Sequence, residues 1–495
     1  MKSSEIRKSF IEYFRKKEHR FVRSAPVVPI DDPTLLFTNA GMNQFKPIFL
    51  DDIESEYSRA VNSQKCIRVS GKHNDLEEVG IDTFHHTFFE MLGNWSFGDY
   101  YKKEAIEWAW DLLTNVWKLE KERLWVTVYK NDKDAHGLWL SQTDIKKDRV
   151  LWFGEKENFW EMGKTGPCGP CSEIHYFMGD DITLQSAEGV NKDDLYWELW
   201  NLVFIQNERL EDGSLAELSQ SHIDTGAGLE RISCILQGKK SNYETDLFQP
   251  IIQKIEKLSG INYIENQVPF QVIADHIRML CFSIADGAIP SNEGRGYVLR
   301  RILRRAARFG RILKLEEPFL YKLVPTVCGH MSEAYPELKK KDTHIELVIG
   351  TEETLFNQTL DRGINHLDKL INDLDGKTIP GTDAFKLYDT YGFPIDLTQL
   401  IAREKGIDVD EDGFNEEMSQ QKYKARQSGK FRLEEKDVVW NEKSDGKDSE
   451  FIGYEHLECE SNVRKYAKID TGYLIVLDMT PFYAESQVAK FLIEV

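Results

Sequence analysis

The chain has 495 residues, of which 41% are hydrophobic and 29% charged, and it carries a net charge of −20. That length implies two to four domains with real apolar cores. The charge excludes nucleic-acid binding by bulk electrostatics, so any RNA contact must come from a local basic patch. Seven scattered cysteines argue for reduced thiols over a disulfide framework. No apolar run approaches the ~20 residues of a membrane span. The opening Met1-Lys2-Ser3-Ser4-Glu5 has no secretory h-region. A cytoplasmic chain without a membrane partner is expected.

Ile6, Phe10, Tyr13 and Phe14 recur at helical spacing, with Ser3 or Ser4 as the cap. Residues 19–28 read as a strand ending at Pro26 or Pro29. Two strands, 63–69 and 86–91, flank a polar loop that holds Gly71, Lys72, His73, Asn74, Asp75 and Gly80. Residues 103–117 form an amphipathic helix with Ile106, Ala109, Leu113 and Trp117 on one face, and 124–129 alternate as a strand. Cys168 and Cys171 make the single C-x-x-C. It lacks a second ligand pair at matching spacing, so it reads as a structural turn, not a zinc site. Residues 196–206 are a strand apolar on both faces, as in a buried sheet. Residues 223–228 then turn into a helix, 229–236. Beyond about 243, helical patterns dominate: 246–258, 269–287, 296–314, 343–374 and 382–403. The charged stretch 404–450 reads as an arm or linker. Alternation returns over 462–484, with a strand at 473–477.

Arg68 alone is an ordinary surface ion-pair residue. Its setting is different, because Lys72 and His73 lie in the adjoining loop and His85-His86 open the return strand. That gathers cations where a triphosphate could lie, and the planar fork of Arg suits phosphate. In Asp224-Thr225-Gly226-Ala227-Gly228-Leu229-Glu230-Arg231, glycines permit close backbone approach and the helix start favours an anion. A plain tight turn explains the two glycines equally well. Asp224 suits a substrate ammonium or, more simply, a helix cap.

Together these segments resemble the class II aminoacyl-tRNA synthetases, and within them the alanyl-tRNA synthetase family. Residues 32–46 (Asp32-Pro33-Thr34 to Gln44-Phe45-Lys46), 71–77, 85–94, 165–174 and 291–297 match that family's signatures in order. The resemblance covers roughly residues 1–485. It implies an α/β (α+β) fold: a class II antiparallel sheet flanked by helices, then a mainly helical domain and a short β fragment. The corresponding domains are 1–242 (catalytic), 243–455 (tRNA recognition) and 456–495 (the start of an editing domain).

The resemblance also implies roles. Arg68 would hold the α-phosphate, with Arg231 on the nucleotide and Lys72 as a further phosphate ligand. His86 would line the ATP site, and Trp95 would stack on adenine where the family often has Phe. Leu199, Trp200 and Gly228 would border the nucleotide. Asn201 and Asp224 would bind the amino group of L-alanine, with Val203 and Trp160 limiting side-chain room. Mg²⁺ would neutralise the phosphates, with Glu173 and Glu198 as acidic candidates. Seven arginines recur from Arg295 to Arg311 at helical spacing. In the family this region reads the acceptor-stem G·U pair of tRNA(Ala), here through Asn292 and Asp396 with Arg300 and Arg304 on phosphate. Residues 476–486 resemble the start of the family's editing domain. The family continues Gly-Gly-Gln where this sequence has Gln487-Val488-Ala489-Lys490. An editing site and its zinc are therefore not expected, and a monomer is. Two other readings remain: a regulatory tRNA-binding protein that no longer activates amino acids, and a ligase acting on another carrier.

Overall fold

Helix α1 (Ser3–Arg15) buries Ile6, Phe10 and Phe14 at i, i+4 and i+8. Each fully buried side chain of this size stabilises by roughly 1.5–3 kcal/mol. Neither serine caps the helix. Ser3 is already helical and donates its N–H (3.0 Å) and hydroxyl (3.2 Å) to Asp246. The computed structural model describes residues 1–29, 35–70, 73–374, 376–391, 393–428, 440–444, 449–451, 459–469 and 472–480.

The chain parts into two compact units, Met1–Asp375 with Leu387–Gly406, and Gly376–Lys386 with Ile407–Val495. The first holds a nine-stranded sheet: β1 (Arg20–Phe21), β2 (Arg59–Ile67), β3 (Phe88–Phe97), β4 (Leu124–Tyr129), β5 (Val150–Phe153), β6 (Phe159–Glu161), β7 (Gly166–Phe177), β8 (Tyr196–Arg209) and β9 (Leu215–Gly228). Their order is β1-β2-β3-β9-β8-β7-β4-β5, with β6 also paired to β7. Neighbours run antiparallel except at the two outer pairs, β1–β2 and β4–β5. The strand expected over 19–28 is only two residues long, because the chain then runs toward Pro26 and Pro29, which have no N–H for a ladder. The C-x-x-C is not a turn. It lies inside β7, every residue of which is buried.

Helix α2 (Leu229–Leu236) continues directly from β9. Helices α3 (Gln267–Ala285), α4 (Gly294–Ile312), α5 (Asp342–Asn372) and α6 (Ile395–Glu404) follow in the same unit. No break in packing occurs at 242/243. Phe282 of α3 stacks on Phe88 of β3 at 4.2 Å, and Asp275 accepts from the Thr87 N–H at 3.1 Å. The helical segment therefore adheres to the sheet. Contrary to the sequence expectation, α3 is long and apolar enough to cross a membrane by length and composition, but 94% of its apolar window is buried within the fold.

The second unit contains a helix over Glu411–Ser428, where the sequence suggested an arm. It also has a three-stranded antiparallel sheet of Asn441–Glu442, Val463–Ile469 and Gly472–Leu477. Its two longer strands fall within 456–495, where β structure was expected, while Asn441–Glu442 lies in the stretch expected to be an arm. Residues 481–495, with the 487–490 departure, lie outside the described residues.

Candidate active site

Side chains alternate across a strand, and β8 separates two environments. Leu199, Asn201 and Val203 face a cavity of about 280 Å³. Trp200 faces the other way, 5.6 Å from the Phe10 ring and 6.2 Å from Phe14 of α1. The expectation that Trp200 borders the nucleotide is therefore corrected: strand parity turns it into the core. Against β7, the register slips by one residue between Glu198 and Trp200. This bulge lets the consecutive residues Glu198 and Leu199 both reach the cavity.

Register fixes the rest of the floor. Cys171 is paired with Val203, Val203 with Asp224, and Asp224 with Trp95, so four strands contribute one row on one face. The adjacent row is Glu173, Asn201 and Gly226. Burial pushes the Asp224 carboxyl up to about 7, although the Trp95 indole N–H, donating to its Oδ1 at 2.7 Å, opposes the shift. Asn201 donates to Glu173 Oε1 at 3.3 Å, while its own Oδ1 is buried without a hydrogen-bond partner. A buried unpaired acceptor is costly, so this atom lacks a donor that a ligand can supply.

Arg68, just past β2, and Arg231, in the first turn of α2, line the same cavity. The Arg68 Nε donates to the Asn39 carbonyl at 3.2 Å, and its guanidinium lies 5.0 Å from the Phe89 ring centre. Arg231 donates to the Glu198 carbonyl at 2.7 Å and lies 5.1 Å from the Phe84 ring centre. Both guanidiniums are thus propped on an aromatic ring and a backbone oxygen. Trp160, Gly228 and Leu199 also line the cavity, as expected. His86 reaches the wall, but its Nδ1 is 3.2 Å from Asp275 and its Nε2 is 2.9 Å from the Asn242 amide. It acts there as a fixed strut. Lys72 lies outside the described residues.

Trp95 requires correction. It is fully buried, packed 4.7 Å from Phe45 beneath residues 40–49. It offers no free face to a base. The aromatic side chain of β3 that reaches the cavity is Phe89, which sequence reasoning missed, together with Met91, Phe84 and Cys171. Alternation along β3 was the available signal, since Phe89 and Met91 share a face.

Glu173 and Glu198 face the cavity from neighbouring strands. Burial, then the charge of Glu198, raises the Glu173 carboxyl, which His175 at 3.2 Å partly offsets. This mutual repulsion suits a divalent cation. Among the described residues no group of three or more His, Cys, Asp and Glu side chains could hold a metal. Two carboxylates fit Mg²⁺, which keeps waters and takes its other ligands from phosphate.

On α4, Arg300 bonds both Glu352 oxygens (2.7 and 3.0 Å) and donates to Asn292 Oδ1. Arg304 is 3.6 Å from Glu352 and lies over Phe356. Arg295 donates to the carbonyls of Leu35 and Leu36. Arg305 is inside the fold, bonded to His276 and the Val79 carbonyl at 2.9 Å each. The helix is therefore not a uniform phosphate-facing stripe, because its arginines also hold the fold together. Asp396 sits in α6, but its side chain lies outside the described residues.

A family model described as tRNA synthetases class II (A) matches residues 5–487. The chain belongs to that family. It is 54% identical over 497 residues to a protein named alanine–tRNA ligase from Chlorobium chlorochromatii (strain CaD3), covering 98% of this chain and 56% of the relative. The protein of the same name from Chlorobaculum tepidum is 53% identical, covering 98% of this chain and 56% of the relative. That from Cytophaga hutchinsonii is 50% identical, covering 98% and 57%. The chain spans about half the length of the curated relatives it matches.

Proposed function

We propose that this chain activates L-alanine with ATP and transfers the alanyl group to the 3′ end of tRNA(Ala). The observation that carries this is one cavity with an acidic pocket, Asp224 beside the unpartnered Asn201 Oδ1, and with the guanidiniums of Arg68 and Arg231. An ammonium would keep Asp224 ionised and donate to Asn201 Oδ1. Val203, Cys171 and Trp160 leave room for a small side chain. The names of the relatives agree with that size.

The substrate carboxylate attacks the α-phosphorus, and the bond to the bridging oxygen breaks so that pyrophosphate leaves with its electron pair. Arg68 takes the charge that builds on the α-phosphate, and Arg231 steadies the nucleotide. Phe89 offers the base the aromatic face that the sequence assigned to Trp95. Glu173 and Glu198 would hold Mg²⁺, which supplies neutralising charge on the phosphates. Positioning provides most of the acceleration, since the protein forms no covalent bond. The terminal ribose hydroxyl then attacks the alanyl carbonyl and AMP departs. Asn292, Asp396, Arg300 and Arg304 are proposed to meet the acceptor stem and its G·U pair through the accessible minor groove of A-form RNA, in the cytoplasm.

Alanine-dependent ATP–pyrophosphate exchange followed by tRNA(Ala) charging tests this. Exchange with alanine, and none with valine or larger residues, is the expected result. Exchange that is absent, or faster with a larger amino acid, overturns it.

A further inference from the structure

The Trp95 indole is fully buried, yet its one polar atom does specific work. Its Nε1 donates to Asp224 Oδ1 at 2.7 Å, and Asp224 has no other hydrogen bond among those identified for its side chain. The ring is held on several sides. Phe45 packs at 4.7 Å, and a Cβ added at Gly41 would lie 2.6 Å from the indole, with one at Gly93 closer still. Two glycines thus leave the space the indole fills, and register places Trp95 directly opposite Asp224 on the adjacent strand. A ring that cannot tilt fixes the direction of its N–H, and the N–H fixes the carboxylate. Phe keeps an aromatic ring, though a smaller one, and has no donor.

We infer that Trp95 is a positioning residue for amino-acid binding: its clamped indole N–H orients the Asp224 carboxylate toward the substrate ammonium. The inference rests on the alanine-activation reading and deepens it. The hydrogen bond favours the ionised carboxylate, so its removal raises an already elevated carboxyl. Other ionisable groups surround this site: the Cys66 thiol of β2 and the Cys171 thiol of β7, both kept neutral by burial, the Glu173 and Glu198 carboxylates, and Arg68 with Arg231. None of them bonds the indole, so a change confined to Trp95 reports on Asp224.

The test is Trp95→Phe in the full chain. The expected result is a KM for alanine raised roughly tenfold or more at pH 7, as follows from losing one hydrogen bond to a charged group. The gap should close to within about twofold at pH 9, where Asp224 ionises in both proteins. The exchange rate at saturating alanine and the KM for ATP stay as in the parent. A parallel readout uses no substrate. The Trp95 indole N–H resonance, identified by its absence in the variant, should shift with pH as Asp224 titrates. A variant whose alanine KM matches the parent, or whose alanine and ATP KM rise together without pH dependence, overturns the inference. So does an indole resonance insensitive to pH. A parent chain without alanine-dependent exchange, but with a titrating indole, would remove the activation reading while leaving the Trp95–Asp224 clamp standing.

Discussion

Burial of Asp224 carries a stability cost. Its carboxyl rises from an ordinary value near 4 to about 7 through burial. Between those values the folded protein binds a proton that the unfolded chain has released, so stability falls as pH rises through this window and is lowest above it. The loss amounts to at most about 4 kcal/mol. Asp224→Asn keeps an acceptor for the Trp95 indole and removes the charge. The variant should melt a few degrees higher than the parent at pH 8 by calorimetry, while its alanine-dependent exchange falls by 100-fold or more, as expected when a charged partner of the substrate is lost. The floor at Val203 and Cys171 sets a second expectation. A hydrophobic pocket gains only about 1–3 kcal/mol per methyl. Serine and glycine should therefore support exchange at kcat/KM values roughly 10- to 200-fold below alanine. At this scale Arg68, Arg231 and Asp224 were legible from residue type and setting, while Asn201 and Val203 were legible only through the family resemblance; all five line the cavity. It failed at Trp95 and Trp200, where strand parity and the packing of distant segments decide which way a ring faces.

Among elements, the most consequential joint is between α3 and the start of β3. Asp275 accepts from the Thr87 N–H (3.1 Å), the Thr87 hydroxyl, His86 (3.2 Å) and His276 (2.9 Å), and Arg305 of α4 then bonds His276. One buried carboxylate thus ties the arginine helix to the strand that carries Phe89. Asp275→Ala leaves several of these groups unpaired and should destabilise by about 3–5 kcal/mol, read from denaturant unfolding. Burial also pushes His276 and His19 down to about 4. Both are neutral in the fold, whereas the unfolded chain protonates below about 6.5. Their stability contribution is complete above that pH and is lost as pH falls toward 4. This loss opposes the gain from Asp224 over the same interval, so it is read as a difference: His276→Gln should lose less melting temperature than the parent between pH 6.5 and 4. Helix periodicity announced α1, α3 and α4 well. The joint itself was illegible, because Asp275 and Thr87 are far apart in sequence and only the fold brings them together.

For the molecule as a whole, a charge of −20 makes non-specific RNA binding weak. On the proposed function, contact with tRNA must then be local, and separable from amino-acid activation. Asp396→Ala should lower tRNA(Ala) charging while leaving alanine-dependent exchange intact, and equal loss of both would show that α6 supports the cavity instead. The domain plan read from the sequence placed a boundary at 242/243. Composition does change there, but hydrophobic faces on both sides, such as Phe88 and Phe282, have each other as partners, so contact does not part where composition does.

The one-residue slip at Glu198–Leu199 has a further consequence. From Trp200 to Val203 the strand keeps regular pairing with β7 and β9, and that is where the amino acid would be recognised. Glu198, on the other side, lies 3.8 Å from Arg231 and, on the proposed function, would face the phosphates. A residue lost or gained at the slip would change the charge facing the triphosphate without rotating Asn201 or Val203 out of place. Substitutions in the Cys171–Val203–Asp224 row would likewise leave the phosphate end untouched. On the proposed function, the bulge would act as a joint between two separately heritable specifications, one for what is activated and one for how.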